Sequence, residues 1–520
     1  MVEVKEKDKN RTVDEFIEDL EILTEEIQEF YCEDKIPLVI GWSGGKDSTA
    51  VLQLIWNAVS QLPKEKRKRT IHVISNDTLV ENPIISTWVR RSLEQMKVAA
   101  IEQEIPLETH LTYPDVKQTF WSCLIGKGYP APRKKFRWCT DRLKINPTDS
   151  FIREVIKSHG QVILTLGTRK AESSRRAASM AKYRQWRVRD RLNTNPNCPN
   201  CLVYSPIEDW RTDEVWLYLM QWENPWGQSN KDLFVMYRGA TADNECPLVI
   251  DTSTPSCGDS RFGCWVCTLV NKDKSMEAMI INDEDKEWMQ PLLDIRNELD
   301  QLDDRDRRDF RRIFGKVQLF ERNVDGEISV EPIPGPYTKK WREHWLRRVL
   351  EAQTQIRQTA PEEFKEITLI QPEELSEIRR IWLEEKHEFD DSLPRIYQDV
   401  TGEEFKDLRR GIGSSLLGLD EWNTLEEICG EDAMHLELMA KLLDTERQYH
   451  VKSYRAGIFQ SLEKCFESSS RSKEEAIENA HFKRDLKTAV EEKDTDKVKQ
   501  LTWASLKFTS DNSTVDEEEE

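Results

Sequence analysis

A short β-branched run, Leu38-Val39-Ile40, is followed closely by Ser43-Gly44-Gly45-Lys46-Asp47-Ser48 and then by Ala50-Val51-Leu52-Gln53-Leu54-Ile55-Trp56. The first run reads as a buried strand, and the last has helical spacing with no Gly or Pro through Val59. A glycine pair between strand and helix lets the backbone approach a ligand closely. It also turns successive N–H groups towards an anion at the positive end of the helix dipole. A plain Ser/Gly turn capping a helix is the simpler alternative, but six such residues in this setting favour a phosphate cradle. The cradle is not a Walker A loop, which places a longer spacer before Gly-Lys-Ser/Thr; here Lys46 follows Gly45 directly and Asp47 comes next.

The hexapeptide resembles the PP-loop of the ATP-pyrophosphatase family, whose members split ATP between its α- and β-phosphates. The resemblance implies adenylyl transfer, with ATP and Mg2+ bound. Ser43, Gly44 and Gly45 would hold the nucleotide together with Lys46, Asp47 and Ser48, the expected catalytic residues. Lys46 and the loop N–H groups would hold the charge that develops on pyrophosphate. The sequence leaves open whether Asp47 or Asp77 meets the metal.

At 520 residues the chain is too long for one ordinary core, so two or three domains are expected. No apolar run approaches the ~18 residues that span a bilayer, and Met1–Lys7 has no apolar signal region. The cytoplasm is the expected compartment, with no membrane partner, and the 11 cysteines then point to metal or redox chemistry rather than disulfides.

The expected architecture is α/β, a doubly wound and mainly parallel sheet over residues 36–290. Its strands are Leu38–Ile40, Ile71–Ile74, Val162–Leu166 and, more weakly, Leu202–Tyr204. A charged helix with an apolar stripe at Phe16, Leu20, Leu23 and Ile27 precedes it over residues 1–35. Residues 291–505 read as a mainly helical interaction domain containing one hairpin, Val317–Asn323 with Glu327–Pro332, turned at Gly326. Residues 506–520 read as a disordered acidic tail.

Further segments fall where a nucleotide site of this kind needs them. Ser75-Asn76-Asp77-Thr78 follows the second strand, at the carboxyl end where open α/β sheets bind ligands. Asp77 there suits a ribose hydroxyl or a metal, a turn aspartate being the plainer reading. Gly167-Thr168-Arg169-Lys170-Ala171-Glu172-Ser173-Ser174-Arg175 follows the third strand. It resembles the Gly-x-Arg…Glu-Ser…Arg signature of the phosphoadenosine phosphosulfate (PAPS) reductase branch, in which Gly167, Arg169, Glu172 and Arg175 would line the nucleotide. The two arginines suit bidentate clamping of phosphate. Pro206-Ile207…Trp210…Asp213-Glu214-Val215-Trp216 resembles another segment of that branch. It reads as architectural, with Thr212 or Asp213 capping a helix and the tryptophans packing.

Cys257, Cys264 and Cys267 lie in one glycine-punctuated stretch, and Cys139, in Arg137-Trp138-Cys139-Thr140, offers a remote fourth sulfur. Three close thiolates and one distant one suit a [4Fe–4S] cluster. Cys198-Pro199-Asn200-Cys201 with Cys264 and Cys267 would instead make a four-cysteine zinc site, and reduced thiols without metal are the third reading. Cys246 is a spare candidate ligand.

Taken together, these motifs resemble the DndC family, the ATP-pyrophosphatases of the bacterial Dnd DNA-phosphorothioation system, over about residues 36–290. The resemblance implies that sulfur replaces a non-bridging oxygen of the DNA backbone. A cysteine desulfurase would supply that sulfur, other Dnd proteins would share the work, and Cys139, Cys257, Cys264 and Cys267 would be the cluster ligands. Arg133–Lys144 has six basic residues to one acidic, and Arg169–Arg191 nine to two, against a chain total of −20. These stretches could track DNA, with Trp138 and Trp186 for stacking, or serve only as ATP-binding or solvated surface. A tRNA or nucleobase thiolation enzyme, a sulfonucleotide reductase and a nucleotide-binding regulatory subunit are the rival readings.

Overall fold

The computed structural model describes residues 11–33, 35–172, 174–183, 187–189, 192–195, 198–240, 263–313, 315–324, 327–409, 417–430, 432–450, 454–467, 469 and 472–501. The chain divides into two compact units that interleave in sequence. One takes in residues 1–120, 131–300 and 352–369; the other takes in 121–130, 301–351 and 370–520. Gly326, Cys246, Cys257, Trp186 and the acidic tail 506–520 lie outside the described residues.

The first unit is an α/β sandwich. Its sheet runs β3-β2-β1-β4-β7-β6-β5, from β1 (Leu38–Gly41), β2 (Ile71–Asn76), β3 (Leu107–Thr112), β4 (Val162–Thr165), β5 (Arg187–Arg189), β6 (Leu192–Thr194) and β7 (Cys201–Tyr204). The pairs among β3, β2, β1, β4 and β7 are parallel, while β5 and β6 close the far edge antiparallel. β1 leads outward to β2 and β3, and the chain returns to β1's other side as β4. That reversal creates the crevice at the strands' carboxyl ends where such sheets take ligands.

Both faces of the central strands are buried, which is why they read as continuous apolar runs. Helices α1 (Val13–Glu33) and α2 (Lys46–Ser60) pack on one face, and Phe16, Leu20, Leu23 and Ile27 are all buried, as their spacing predicts. On the other face, α5 (Asn146–His159) covers Val39, Ile74, Val162 and Leu164. It continues from a single helical turn, α4 (Trp138–Thr140), through a π turn over Asp141–Ile145. α3 (Pro83–Glu102) connects β2 to β3, and α6 (Ser174–Tyr183) follows β4.

β3 goes unread in the sequence, because Leu107–Thr112 is a half-exposed edge strand without an apolar run. Helix α7 (Thr212–Gln221) starts one residue earlier than its capping residues suggest. Arg211 holds the cap position, and the Glu214 carboxylate accepts the Arg211 N–H at 2.7 Å. Trp210 and Trp216 pack as expected, Trp210 edge-on to Phe16 and Tyr218, Trp216 edge-on to Phe234 and Tyr237. Helices α8 (Asn230–Gly239), α9 (Lys274–Asn282) and α10 (Gln290–Leu299) complete the unit's helical layers.

The second unit is mainly helical. Its hairpin pairs β8 (Leu319–Val324) with β9 (Glu327–Pro332) antiparallel. Its helices are α11 (Lys339–Thr359, through Glu351), α12 (Pro372–Arg380), α13 (Ser392–Thr401), α14 (Leu419–Cys429), α15 (Ala433–His450), α16 (Ile458–Glu467) and α17 (Lys473–Glu491). Arg342 and Glu388 form a buried two-point pair, and Phe389, Trp422, Leu425, Cys429 and Ala440 make a small core. No helix among the described residues is long and apolar enough to cross a membrane.

Candidate active site

The loop after β1 turns because Gly44 adopts φ +74°, a left-handed conformation that glycine takes without penalty. A Cβ at Gly44 would also stand 2.7 Å from Val89 Cγ2. Ser48, in the first turn of α2, holds the loop closed. Its Oγ accepts the Ser43 N–H at 3.2 Å, lies 3.2 Å from Ser43 Oγ, and donates to the Gly45 carbonyl at 3.1 Å. Ser48 is therefore a loop staple rather than a free nucleophile.

Lys46 and Asp47 open α2 at its positive end. Lys46 Nζ lies 3.2 Å from Asp47 Oδ2, and Arg169 Nε donates to Asp47 Oδ1 at 2.7 Å. Arg169 is 1% exposed. Its remaining nitrogens reach the Trp210 carbonyl at 3.1 Å and Thr212 Oγ1 at 3.4 Å. The sequence suggests a phosphate clamp at Arg169. The structure commits this guanidinium to protein oxygens, so it acts on the loop by fixing Asp47.

Gly167, after β4, closes the crevice from the other side. A Cβ there would meet the Asp47 carbonyl carbon and oxygen at 2.8 Å and Ser48 N at 2.9 Å. Only glycine lets the β4 loop lie directly on the phosphate loop. Glu172 is exposed in the turn Lys170–Glu172, and Arg175 lies on α6 with its side chain outside the described residues.

Tyr237 of α8 has no motif to announce it. Its hydroxyl accepts the Lys46 N–H at 3.3 Å, and Lys46 Nζ stands 5.2 Å from the ring centroid, within cation–π range. Burial, reinforced by the Asp47 carboxylate, raises the phenol above its ordinary range, so the hydroxyl keeps its proton.

Asp77 follows β2 and is buried. Its Oδ1 accepts the Leu79 N–H at 2.9 Å and its Oδ2 pairs with Arg90 at 2.8 Å, so it shapes a turn at the crevice rim. The same turn receives the cysteines. Cys264 forms a bridge with Glu81, Trp265 N–H donates to the Val80 carbonyl at 2.9 Å, and Cys264 Sγ lies 3.4 Å from Thr78 Oγ1. The Cys267 N–H closes on the Cys264 carbonyl at 3.0 Å, a tight turn that brings the two cysteines together.

Burial, then the neighbouring Cys267, pushes the Cys139 thiol up. Burial, then the Glu81 carboxylate, pushes Cys264 to about 12. Lys144 stands among these groups, 3.6 Å from Glu81, its ammonium stabilised first by Cys264 and then by Glu81. Cys264 and Cys267 of one turn and Cys139 from a distant segment are thus desolvated neighbours beside one cation. That chemistry is compatible with a thiolate-ligated cluster, although among the described residues these sulfurs do not close to within 4.8 Å. Cys257 lies outside the described residues.

Cys198 and Cys201 are placed elsewhere, in the apolar layer with Val39, Ile74, Ile152 and Val155. Among the described residues, no set of three metal-binding side chains that includes them closes to within 4.8 Å. Trp138 is not available for base stacking, because it is buried and stacks on Phe120 at 5.4 Å. Lys134, Lys135, Phe136, Arg137, Asp141 and Lys144 are the exposed members of that basic stretch.

Residues 37–226 match the model of the phosphoadenosine phosphosulfate reductase domain. An uncharacterized protein of Methanocaldococcus jannaschii is 25% identical over 205 residues, 39% of this chain and 35% of the relative. The chain thus spans about a third of the length of the curated relative it matches. Among solved structures, the U34-tRNA thiolase NcsA from Methanococcus maripaludis with its [4Fe–4S] cluster is similar over 56% of this chain and 80% of its own, at 13% identity and a TM-score of 0.27. The Candida glabrata FMN adenylyltransferase in complex with FMN and the ATP analogue AMPCPP is similar over 46% of this chain and 64% of its own, at 11% identity and a TM-score of 0.23.

Proposed function

We propose that this chain, built over residues 37–226 on a PP-loop domain of the phosphoadenosine phosphosulfate reductase type, is an ATP pyrophosphatase that activates a DNA backbone phosphate for replacement of a non-bridging oxygen by sulfur. The observation that carries the reading is the joining of two chemistries at one turn. Asp77 borders the nucleotide crevice, and Thr78 and Glu81, a few residues on, receive Cys264. A nucleotide-activating loop on a sheet whose β2 turn receives a cysteine suits sulfur transfer to an adenylylated oxygen.

In this reading the DNA phosphate oxygen attacks the α-phosphorus of ATP and pyrophosphate leaves. The loop N–H groups and Lys46 stabilise the charge on the departing pyrophosphate, Asp47 and Arg169 hold Lys46 in place, and Ser48 keeps the loop closed. A hydrosulfide equivalent then attacks the activated DNA phosphorus, and AMP leaves carrying the original oxygen. Cys139, Cys257, Cys264 and Cys267 would hold a [4Fe–4S] cluster, which supplies redox or sulfur-handling capacity when bound. A cysteine desulfurase is the proposed sulfur source; its persulfide is reduced by a cellular thiol, which forms a disulfide with the carrier cysteine and releases the hydrosulfide. Residues 291–505 are the proposed surface for other modification proteins, which deliver the DNA to a chain of net charge −20.

The test is complementation in cells, with phosphorothioate linkages in DNA and thionucleosides in tRNA measured together. Lys46→Ala is expected to abolish DNA sulfur while tRNA thiolation stays normal. Loss of tRNA thionucleosides instead would transfer the reading to nucleobase thiolation. Normal DNA sulfur in the variant would remove the loop from the chemistry.

A further inference from the structure

At the amino end of β2, away from the crevice, a second cluster of metal-binding side chains spans two strands. His72 on β2 and Glu108 on β3 are register partners, and His110 lies two residues further along β3. The two-residue period of a strand puts all three on one face of the sheet. His72 Nδ1 lies 3.1 Å from His110 Nε2 and 3.4 Å from Glu108 Oε2, and His110 Nε2 lies 3.7 Å from Glu108 Oε2. Among the described residues this is the set of three such side chains that closes to within 4.8 Å.

We propose that His72, Glu108 and His110 bind a divalent transition-metal ion of the zinc class. The circle through three atoms at those separations has a radius of about 2.0 Å, which is the zinc–imidazole and zinc–carboxylate bond length. An ion slightly above the plane of the three atoms therefore lies at bonding distance from all of them once the proton shared by the two imidazoles is released. Two imidazoles and one carboxylate select zinc or a similar borderline ion over calcium or magnesium.

The ring of Phe151 on α5 walls the site, with its centroid 4.7 Å from that of His110 and 5.9 Å from that of His72. The Glu108 side chain is 62% exposed, so the fourth position opens to water on the solvent side. β3 is an edge strand, and the ion would fasten it to β2 through side chains as well as through the backbone ladder.

The experiment takes the full-length chain carrying Cys264→Ser, strips it with a chelator, and titrates it anaerobically with cobalt(II) as the spectroscopic stand-in for zinc. One equivalent is expected, with the visible d–d absorption of four-coordinate cobalt and no thiolate-to-cobalt charge-transfer band. Glu108→Gln, at an exposed position that keeps the fold, is expected to weaken binding roughly tenfold or more, and His110→Asn to abolish it. Three results would each overturn the site. They are no saturable binding, equal binding in both variants, or a charge-transfer band that assigns the ion to the remaining thiolates. In the first case the two imidazoles share only a hydrogen bond.

Discussion

Replacing Gly167 by alanine isolates how the β4 loop acts on the phosphate loop. The added Cβ would lie 2.8 Å from the Asp47 carbonyl atoms and 2.9 Å from Ser48 N, all of them backbone that no rotamer can move aside. Restoring contact at about 3.4 Å requires a separation of about 0.6 Å between the β4 loop and the start of α2. Overpacking of this kind destabilises by about 1–3 kcal/mol. The functional effect should be sharper, because a misplacement of about 1 Å at reacting groups costs about 100-fold. A displacement of about 0.6 Å that carries Lys46 and Asp47 then lowers pyrophosphate release roughly tenfold. Gly160→Ala is the control. Gly160 has φ +82° and open space around it, so the substitution strains the backbone by about 1–2 kcal/mol without touching the loop. The assay is pyrophosphate release at saturating ATP, with unfolding midpoints measured in parallel. Equal turnover in Gly167→Ala and wild type would refute the claim that this contact sets the loop's geometry. So would an equal loss in the Gly160 control.

Asp47→Asn leaves the 1%-exposed Arg169 without its anion, and partial solvent access to Asp47 tempers the penalty to about 2–3 kcal/mol in urea unfolding. Arg169→Met alone should cost about as much, and the double variant less than the two together, as a double-mutant cycle reads out. With burial and then the Glu81 carboxylate pushing its thiol up to about 12, metal-free Cys264 stays protonated at pH 8. Iodoacetamide should leave it largely unmodified while exposed Cys32 reacts, and raising the pH should speed its labelling, as peptide mass spectrometry will record.

What the sequence exposes depends on how locally each feature is determined. β1, β2 and β4 are buried on both faces, so burial alone writes them as apolar runs. β3, paired along one side only, carries His, Glu and Thr and leaves no such run. The phosphate loop is legible because glycine geometry and a helix start must be adjacent in sequence. Tyr237 is not, since its role depends on α8 arriving beneath a loop 191 residues earlier in the chain. Trp138 misleads for the opposite reason. An aromatic among basic residues suggests stacking on bases, but Phe120 already occupies its face.

In the proposed reading, the turn after β2 links the nucleotide crevice to the thiols. Leu79 sits at φ +64°, a conformation that costs a branched residue about 1–2 kcal/mol. It persists because both flanks are fastened. Asp77 accepts the Leu79 N–H on the crevice side, and the Val80 carbonyl accepts the Trp265 N–H on the cysteine side. Releasing either fastening lets the strained residue relax and shifts the other. Under the proposed function a change at Cys264 is therefore expected to reach Asp77 through this strained turn, and Cys264→Ser should shift ATP affinity; an unchanged affinity would refute the coupling.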